Sequence, residues 1–167
     1  IERLFFKSRQ TAQKRLKILS DNKKLKKVRE DINVPYTYYI NKKPRNIAHT
    51  NTISEIYSYL NTSDDVKLIK VKREYEIKYK NKSIRADLMA VVKVNNKIIP
   101  LLIEVDLNKT YSNKYTEYIT NSHWNQLFPI KPIIISISRY KPKSSIPVMH
   151  FKNVQEFSKN IAQFLNI

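Results

Sequence analysis

The chain of 167 residues contains no cysteine and no glycine. Without cysteine it can form no disulfide, no thiolate zinc site and no cysteine nucleophile, which is typical of a protein in the reducing cytoplasm. Without glycine it lacks the P-loop and the dinucleotide-binding loop, because both need glycine where the backbone meets phosphate. It also has no apolar run long enough to cross a membrane. We therefore expect a cytoplasmic protein that is not a nucleotide-binding enzyme of either class.

Acidic residues are scarce, with 14 Asp and Glu against 32 Lys and Arg and a formal net charge of +18. Such an imbalance indicates a polyanionic partner, nucleic acid first. The hydrophobic fraction of 41%, with eleven Tyr and six Phe, predicts a packed core. Charge alone does not choose DNA over RNA, so a basic RNA-associated protein remains a hypothesis at this point.

The basic charge is densest in residues 1–46, which hold fourteen Lys or Arg and four Asp or Glu. Ser8 is a good N-cap for a helix from Arg9 to about Asn22, with Ala12, Leu16 and Leu19 on one buried stripe. Long polar side chains off that stripe would face outwards, where they suit base edges and phosphates in the major groove of DNA. These candidates are Arg9, Gln10, Gln13, Lys14 and Lys17. The alternative is an ordinary solvated basic helix.

Two segments with period-two alternation follow, Lys24–Arg29 and Tyr36–Ile40, and predict a pair of short strands. A helix followed by a strand, a loop and a strand is typical of a winged helix-turn-helix. The chain opens at Ile1 in the middle of a helical pattern, so we expect the first helix of that domain to be missing. Lys42 and Lys43, after the second strand, are further candidates for DNA contact.

Pro44–Asn46 interrupts the pattern and predicts a boundary between a DNA-binding domain, 1–46, and a second domain, 47–167. The second domain is predicted to be α+β (mixed α/β), with a mixed sheet covered on both faces. Its predicted helices are Thr52–Leu60, preceded by His49 as a capping or packing residue, then Thr110–Phe128, either continuous or broken near Asn121, and Val154–Leu165. Its predicted strands, besides a central hairpin, are Val66–Arg73, Tyr75–Tyr79, Ile133–Ile137 and Val148–Phe151.

The central hairpin has apolar arms, Leu88–Val94 and Ile98–Ile103, joined by Asn95–Lys97. Asp87 begins the first arm, and Glu104 and Asp106 end the second. Antiparallel pairing would bring these three carboxylates to one end of the sheet. Like charges so placed repel unless a metal, a basic partner or a shifted pKa relieves them.

Two interpretations of these acids stay open: a metal site, or acids paired with the abundant basic residues, for instance Arg85 or Lys109. Tyr111, Tyr115 and Tyr118 likewise form a stripe that is either core or a stacking surface for bases.

The αβββαβ order, with an acid at the start of one strand and an acid at the end of the next, resembles the PD-(D/E)XK nuclease fold. Asp87 and Glu104 match its two acidic positions. The resemblance implies that these two carboxylates bind Mg²⁺, which activates water for phosphodiester cleavage. The usual catalytic lysine position holds Asp106 instead, and Lys114 is a candidate substitute.

The whole chain is similar to the replication-relaxation family of plasmids and integrative elements. The resemblance is carried by a winged helix, His49-Thr50, Glu104-Val105-Asp106, and Lys114 four residues before Tyr118. It implies a double-stranded DNA-binding accessory or regulatory protein acting in plasmid replication or conjugative transfer. A non-cleaving nuclease-like domain, a homodimer, and a relaxase or replication protein as partner are the further expectations. The alternative is a Mg²⁺-dependent endonuclease that uses Asp87, Glu104 and Asp106.

Overall fold

The computed structural model describes residues 5–107 and 113–165. The chain divides into two compact units, residues 1–54 and residues 55–167. The division falls inside a helix, α2 (Ile47–Thr62), that begins where the second domain was predicted to start. The two units are described separately.

Unit 1 contains helix α1 (Arg9–Asp21) and two short strands, β1 (Lys26–Val28) and β2 (Thr37–Tyr39). The Ser8 hydroxyl caps α1 by accepting the Thr11 backbone N–H at 3.2 Å. The strands pair antiparallel, with Lys27 opposite Tyr38. The predicted order of helix, strand, loop and strand is therefore present, with strands shorter than predicted.

The start of α2 differs from the sequence prediction. The helix was expected to begin at Thr52 with His49 before it, but His49 lies in the first turn. The Asn46 side-chain oxygen accepts the His49 backbone N–H at 3.0 Å, so an asparagine cap starts the helix one turn earlier.

Unit 2 is built on a five-stranded sheet whose strand order is β3-β4-β5-β6-β7. The strands β3, β4 and β5 pair antiparallel, and β5, β6 and β7 pair parallel, which confirms the predicted mixed sheet. The bounds are β3 Lys67–Tyr79, β4 Lys82–Val94, β5 Lys97–Asp106, β6 Ile133–Ser138 and β7 Met149–Phe151. Two strands predicted on either side of Glu74 are one strand.

In its described part, the continuous helix predicted over 110–128 is wrong, and the alternative of a break near Asn121 is confirmed. Only a short helix, α3 (Thr116–Thr120), and a 3-10 turn (His123–Gln126) form there. Ser122, with φ of 55°, separates them in the left-handed region that ends helices. Tyr111 and Lys109, two residues of the sequence-based interpretation, lie outside the described residues. The closing helix, α4 (Val154–Leu165), has the predicted bounds.

Both faces of the central sheet are covered. On one face Met89 and Leu102 pack with Tyr115, Tyr118 and Phe128 in one hydrophobic cluster. Tyr115 and Tyr118 are fully buried, so the described part of the tyrosine stripe is core. On the other face the ring of Phe157 in α4 lies 5.4 Å from that of Phe151 in β7 and 5.8 Å from that of Tyr59 in α2.

The element order of α2, three antiparallel strands, α3 and the parallel strand β6 is the predicted αβββαβ order, and the mixed α+β class is confirmed. Across residues 5–107 and 113–165, no helix combines the length and the apolar character that a membrane span requires.

Candidate functional site

The register of β4 and β5 brings two of the predicted acids face to face. Leu88 pairs with Ile103, so the next positions along the two strands are Asp87 and Glu104. One oxygen of Asp87, Oδ2, accepts the backbone N–H of Val105 at 2.8 Å. Asp87 is thereby fixed against the end of β5, beside Glu104.

Glu104 is 4% exposed, and its carboxylate is held by groups of the chain itself. The Lys114 ammonium donates to Oε2 at 2.6 Å, and the Tyr115 hydroxyl donates to Oε1. Lys114 also donates to the backbone carbonyl of Arg85 at 2.6 Å. A buried carboxylate is tolerated only with such compensation, because desolvation strongly disfavours an unpaired charge.

The basic partner of Glu104 is thus Lys114 and not Arg85, which lies 3.7 Å from Glu74 instead. Lys114 was named from the sequence only as a substitute for a missing catalytic lysine. The structure brings it to the acid pair at salt-bridge distance.

Burial raises the pKa of Glu104 to about 7. The Lys114 ammonium and the Tyr115 hydroxyl act in the opposite direction, because both favour the ionised carboxylate. The negative charge of Asp87 raises the pKa further. Glu104 is therefore a carboxyl group whose charge changes near neutral pH.

Asp106, the third predicted acid, is half-buried two residues beyond Glu104 and pairs in register with Ser138. Within the described ranges no three His, Cys, Asp or Glu side chains form a group that could hold a metal ion. Asp106 therefore lies at the same end of the sheet as Asp87 and Glu104 without completing a metal-binding group with them.

The nuclease resemblance implies that the acid pair binds Mg²⁺. Mg²⁺ needs several oxygens directed at one octahedral centre. Here both Glu104 oxygens accept hydrogen bonds from Lys114 and Tyr115, and Asp87 Oδ2 accepts a backbone N–H. In this arrangement the residues do not fit a divalent ion.

A row of polar side chains that the sequence analysis missed extends from the acid pair across the sheet. Ser136 on β6 pairs with Glu104, and His150 on β7 pairs with Ser136. Ser136 and Ser138 are fully buried with their hydroxyls 3.1 Å apart. His150 Nε2 donates to the Ser138 carbonyl at 2.8 Å. The available signal was the alternation Ser136-Ile-Ser138 at the end of a predicted parallel strand, because parallel strands end at the same edge of a sheet.

An open groove of about 620 Å³ lies beside Lys114 on the surface of unit 2. Most of its lining residues carry a hydroxyl, amide or charged group, among them Ser83, Asn113, Lys114 and Thr116. Lys82 and Glu117, also in the lining, form an ion pair with each other. Lys114, one of its lining residues, connects the groove to Glu104 of the acid pair.

The candidate DNA-binding residues lie in unit 1. All five on α1 are exposed, as are the two after β2: Arg9, Gln10, Gln13, Lys14, Lys17, Lys42 and Lys43. Ala12 is the buried residue of the helix, and its first turn carries no acidic side chain. One side of α1 therefore presents long basic and amide side chains to solvent.

The remaining residues of the family motifs, Tyr118 and His49, lie in the hydrophobic cluster and in a helix. Tyr118 is fully buried, and its hydroxyl has no hydrogen-bond partner among the described residues. Burial raises its pKa. His49 lies in the first turn of α2.

No protein-family model and no curated protein matches this chain. Two solved structures are similar to it at 14% sequence identity. One is Can2 from Sulfobacillus thermosulfidooxidans in complex with cyclic tetra-adenylate, with a TM-score of 0.49, covering 90% of this chain and 45% of that chain. The other is protein VC1899 from Vibrio cholerae, with a TM-score of 0.47, covering 96% of this chain and 44% of that chain. The chain thus spans less than half the length of either protein, and scores this low carry no argument about its function.

Proposed function

We propose that the protein binds double-stranded DNA through the exposed side of α1, as an accessory or regulatory protein of a plasmid or other mobile element. The observation that carries this proposal is the composition of that side: Arg9, Gln10, Gln13, Lys14 and Lys17, all exposed. Arg and Gln can bond base edges with two hydrogen bonds, and Lys meets phosphates. The part in replication or conjugative transfer rests on the family resemblance alone.

The short strand pair of unit 1 supports the same proposal. Tyr36 lies between two cations, with its ring centroid 5.1 Å from the Lys27 ammonium and 4.8 Å from the Arg29 guanidinium. These contacts hold basic side chains along β1 and its loop. Lys42 and Lys43 add exposed positive charge after β2. Unit 1 thus offers basic side chains from a helix and from a strand pair.

In this proposal the nuclease-like unit does not cleave DNA. Lys114, which would have to assist an attacking water, donates instead to Glu104 and to the Arg85 carbonyl. Glu104 in turn has both oxygens engaged. The acid pair and its lysine thus serve the packing of the sheet end.

The second candidate function is a metal-dependent DNA endonuclease. It is favoured by the close placement of Asp87, Glu104 and Lys114, and by the open groove that Lys114 lines. Cleavage would require Lys114 and Tyr115 to release the Glu104 carboxylate when DNA binds.

DNA binding is tested with the full chain and a labelled duplex, by fluorescence anisotropy over a range of KCl concentrations. Arg9→Ala is expected to weaken binding roughly 5- to 150-fold if the guanidinium bonds a base edge. Lys14→Ala is expected to weaken all sequences alike and to lower the slope of log K against log salt by about one. Lys159→Ala, at an exposed position of α4, is the matched control and should bind as the wild type does.

Unchanged affinity in both α1 variants would remove the helix from the DNA interface. A wild-type chain that prefers single-stranded RNA of equal length would instead favour the RNA hypothesis.

A further inference from the structure

A second cluster of basic residues lies on unit 2, at the far end of the β3–β4–β5 meander from the acid pair. Lys67 on β3 pairs with Lys93 on β4, and Lys93 pairs with Ile98 on β5. In the neighbouring rows Lys70 pairs with Val91, and Lys72 pairs with Met89. Directly paired residues in antiparallel strands point to the same face. Lys67, Lys70, Lys72 and Lys93 therefore share one face, called here the lysine face.

The covering layer of the sheet stops short of the row that holds Lys67, Lys93 and Ile98. All four lysines are exposed, and Ile98, in the same row as Lys67 and Lys93, is 52% exposed. Met89 and Leu102, on the same face nearer the acid pair, are buried under the tyrosine cluster. Val91, in the row of Lys70, still packs against that cluster. Solvent therefore reaches the end row and the lysines of the edge strand β3.

Charge is segregated along the β3–β4 hairpin. Near the turn at residue 80 each acid has a partner, since Glu74 lies 3.7 Å from Arg85 and Glu76 lies 3.8 Å from Lys78. In the rows that hold the four lysines, the paired strands carry no acid. Asp64 and Asp65 precede β3, but in the described part of the chain neither forms an ion pair with Lys67, Lys70 or Lys93.

The pairing of Lys67 with Lys93 is unfavourable within the protein itself. Like charges directly opposite each other on neighbouring strands destabilise a sheet. Salt screens this repulsion between the two ammonium groups. A bound polyanion would offset it, because each ammonium is attracted to the negative charges. Lys67 and Lys93 lie opposite each other, and Lys70 and Lys72 lie in the neighbouring rows. Their clustered positive charge is complementary to the repeated negative charge of a phosphate backbone.

We propose that the lysine face is a second DNA-binding surface, which contacts the phosphate backbone of duplex DNA without reading its sequence. The inference shares its partner with the proposed function but does not depend on α1. Its lysines end in single ammonium groups, which suit phosphates and carry no bidentate pattern for base edges.

The test uses the full chain and a mixed-sequence duplex, with affinity measured against KCl concentration. The variant carries Lys67→Gln, Lys70→Gln and Lys93→Gln. Lys72 is kept because its ammonium lies 5.4 Å from the Tyr75 ring centroid. Three lost phosphate contacts should lower the salt slope by about two to three. A control with Lys131→Gln, Lys143→Gln and Lys159→Gln removes the same charge from exposed positions elsewhere and should keep most of the slope.

The outcomes separate this inference from the proposed function. If the Lys14→Ala variant of α1 loses affinity but the lysine-face variant matches its charge control, this inference alone is overturned. If the lysine-face variant loses affinity and the α1 variants do not, the assignment of α1 to the DNA interface is wrong and that of the lysine face is supported. If the wild-type chain binds no duplex DNA, both fail. A loss confined to RNA binding would assign the surface to RNA and also overturn the inference.

A second readout distinguishes a binding surface from a structural one. Lys93→Gln alone removes the repulsion with Lys67, so the free energy of unfolding should stay the same or increase while DNA affinity falls. A fall in both would show that Lys93 supports the fold, and that its effect on binding is indirect.

Discussion

At the scale of single residues, opposing effects act on the ionisation of Glu104. Burial favours its neutral form, whereas Lys114 and Tyr115 favour the ionised form. Removing one partner of such a buried pair leaves an uncompensated polar group, which is the costly case. The contacts of Glu104 therefore affect the free energy of unfolding as well as the chemistry of the acid pair.

The raised pKa of Glu104 predicts how stability varies with pH. Because the pKa is about 7 in the folded chain against 4.5 for an ordinary glutamate, the folded state binds this proton more tightly than the unfolded state does. The contribution of this proton to the free energy of unfolding is complete below pH 4.5 and is lost as pH rises through 7. A shift of this size corresponds to roughly 3 kcal/mol between those limits.

Urea unfolding at pH 5 and pH 8 measures this contribution. Glutamine cannot titrate, so Glu104→Gln should lose much less stability between the two pH values than the wild type. Glu55→Gln, at an exposed position of α2, is the control and should keep the wild-type difference. Equal pH dependence in the wild type and Glu104→Gln would show that Glu104 does not titrate in this range.

At the scale of elements, the chain makes all its tight turns without glycine. Six non-glycine residues among those described have positive φ: Lys23, Glu74, Lys80, Asn95, Asn96 and Ser122. Asparagine tolerates this conformation, which explains the two-residue turn between β4 and β5. Lysine and glutamate tolerate it less well, so the backbone is strained at Lys23 and Lys80 and at Glu74, which lies inside β3.

The end of α1 gives the clearest case of that strain. Lys23, with φ of 57°, donates its N–H to the Ser20 carbonyl, and Lys24 donates to the Leu19 carbonyl. This is the hydrogen-bond pattern of a Schellman motif, in which glycine is the preferred residue at the position of Lys23. Lys23→Gly should therefore stabilise the protein by about 1 kcal/mol, with Lys23→Asn intermediate.

Thermal unfolding followed by circular dichroism checks the expectation for Lys23. The neighbouring variant Lys24→Gly removes the same charge at a residue without positive φ, so it should lower the Tm or leave it unchanged. If the two glycine variants shift the Tm equally, loss of charge and not backbone strain is responsible.

Elements with a regular side-chain period were predictable from the sequence. The Asn95–Asn96 turn, the apolar arm of β5 and the bounds of α4 follow from the hydrophobic pattern. The arm predicted at Leu88–Val94 is only the second half of β4, so Asp87 lies inside that strand and not at its start. The segment after β5 was mispredicted, because Tyr115, Tyr118 and Ile119 have helical spacing although only five residues, Thr116–Thr120, form α3.

The same limit applies to the candidate site. That Asp87 and Glu104 face each other follows from a hairpin register. The contacts of Lys114 and Tyr115 with Glu104 depend on the path of an irregular segment, and no period encodes that path. Ser136 and His150 join the site through parallel pairing, whose register is set by packing between distant segments.

At the scale of the whole molecule, the net charge of +18 is distributed over separate surfaces. In unit 1 exposed basic side chains lie on α1 and beside the strand pair. In unit 2 four of them form the lysine face, and others are exposed elsewhere. Positive charge at either surface is complementary to a phosphate backbone whether or not the chain cleaves DNA.

Supercoiled plasmid reports both activities of the full chain at once. With Mg²⁺ or Mn²⁺ we expect retarded plasmid on a native gel and no nicked or linear product after the protein is digested away, because Lys114 and Tyr115 engage Glu104. Asp87→Ala should give the same pattern of products. Lys114→Met is the sharper variant, since it frees one Glu104 oxygen while removing the lysine. Metal-dependent nicking by the wild type that Asp87→Ala abolishes would instead establish the endonuclease, and nicking that Lys114→Met also abolishes would make Lys114 a catalytic residue.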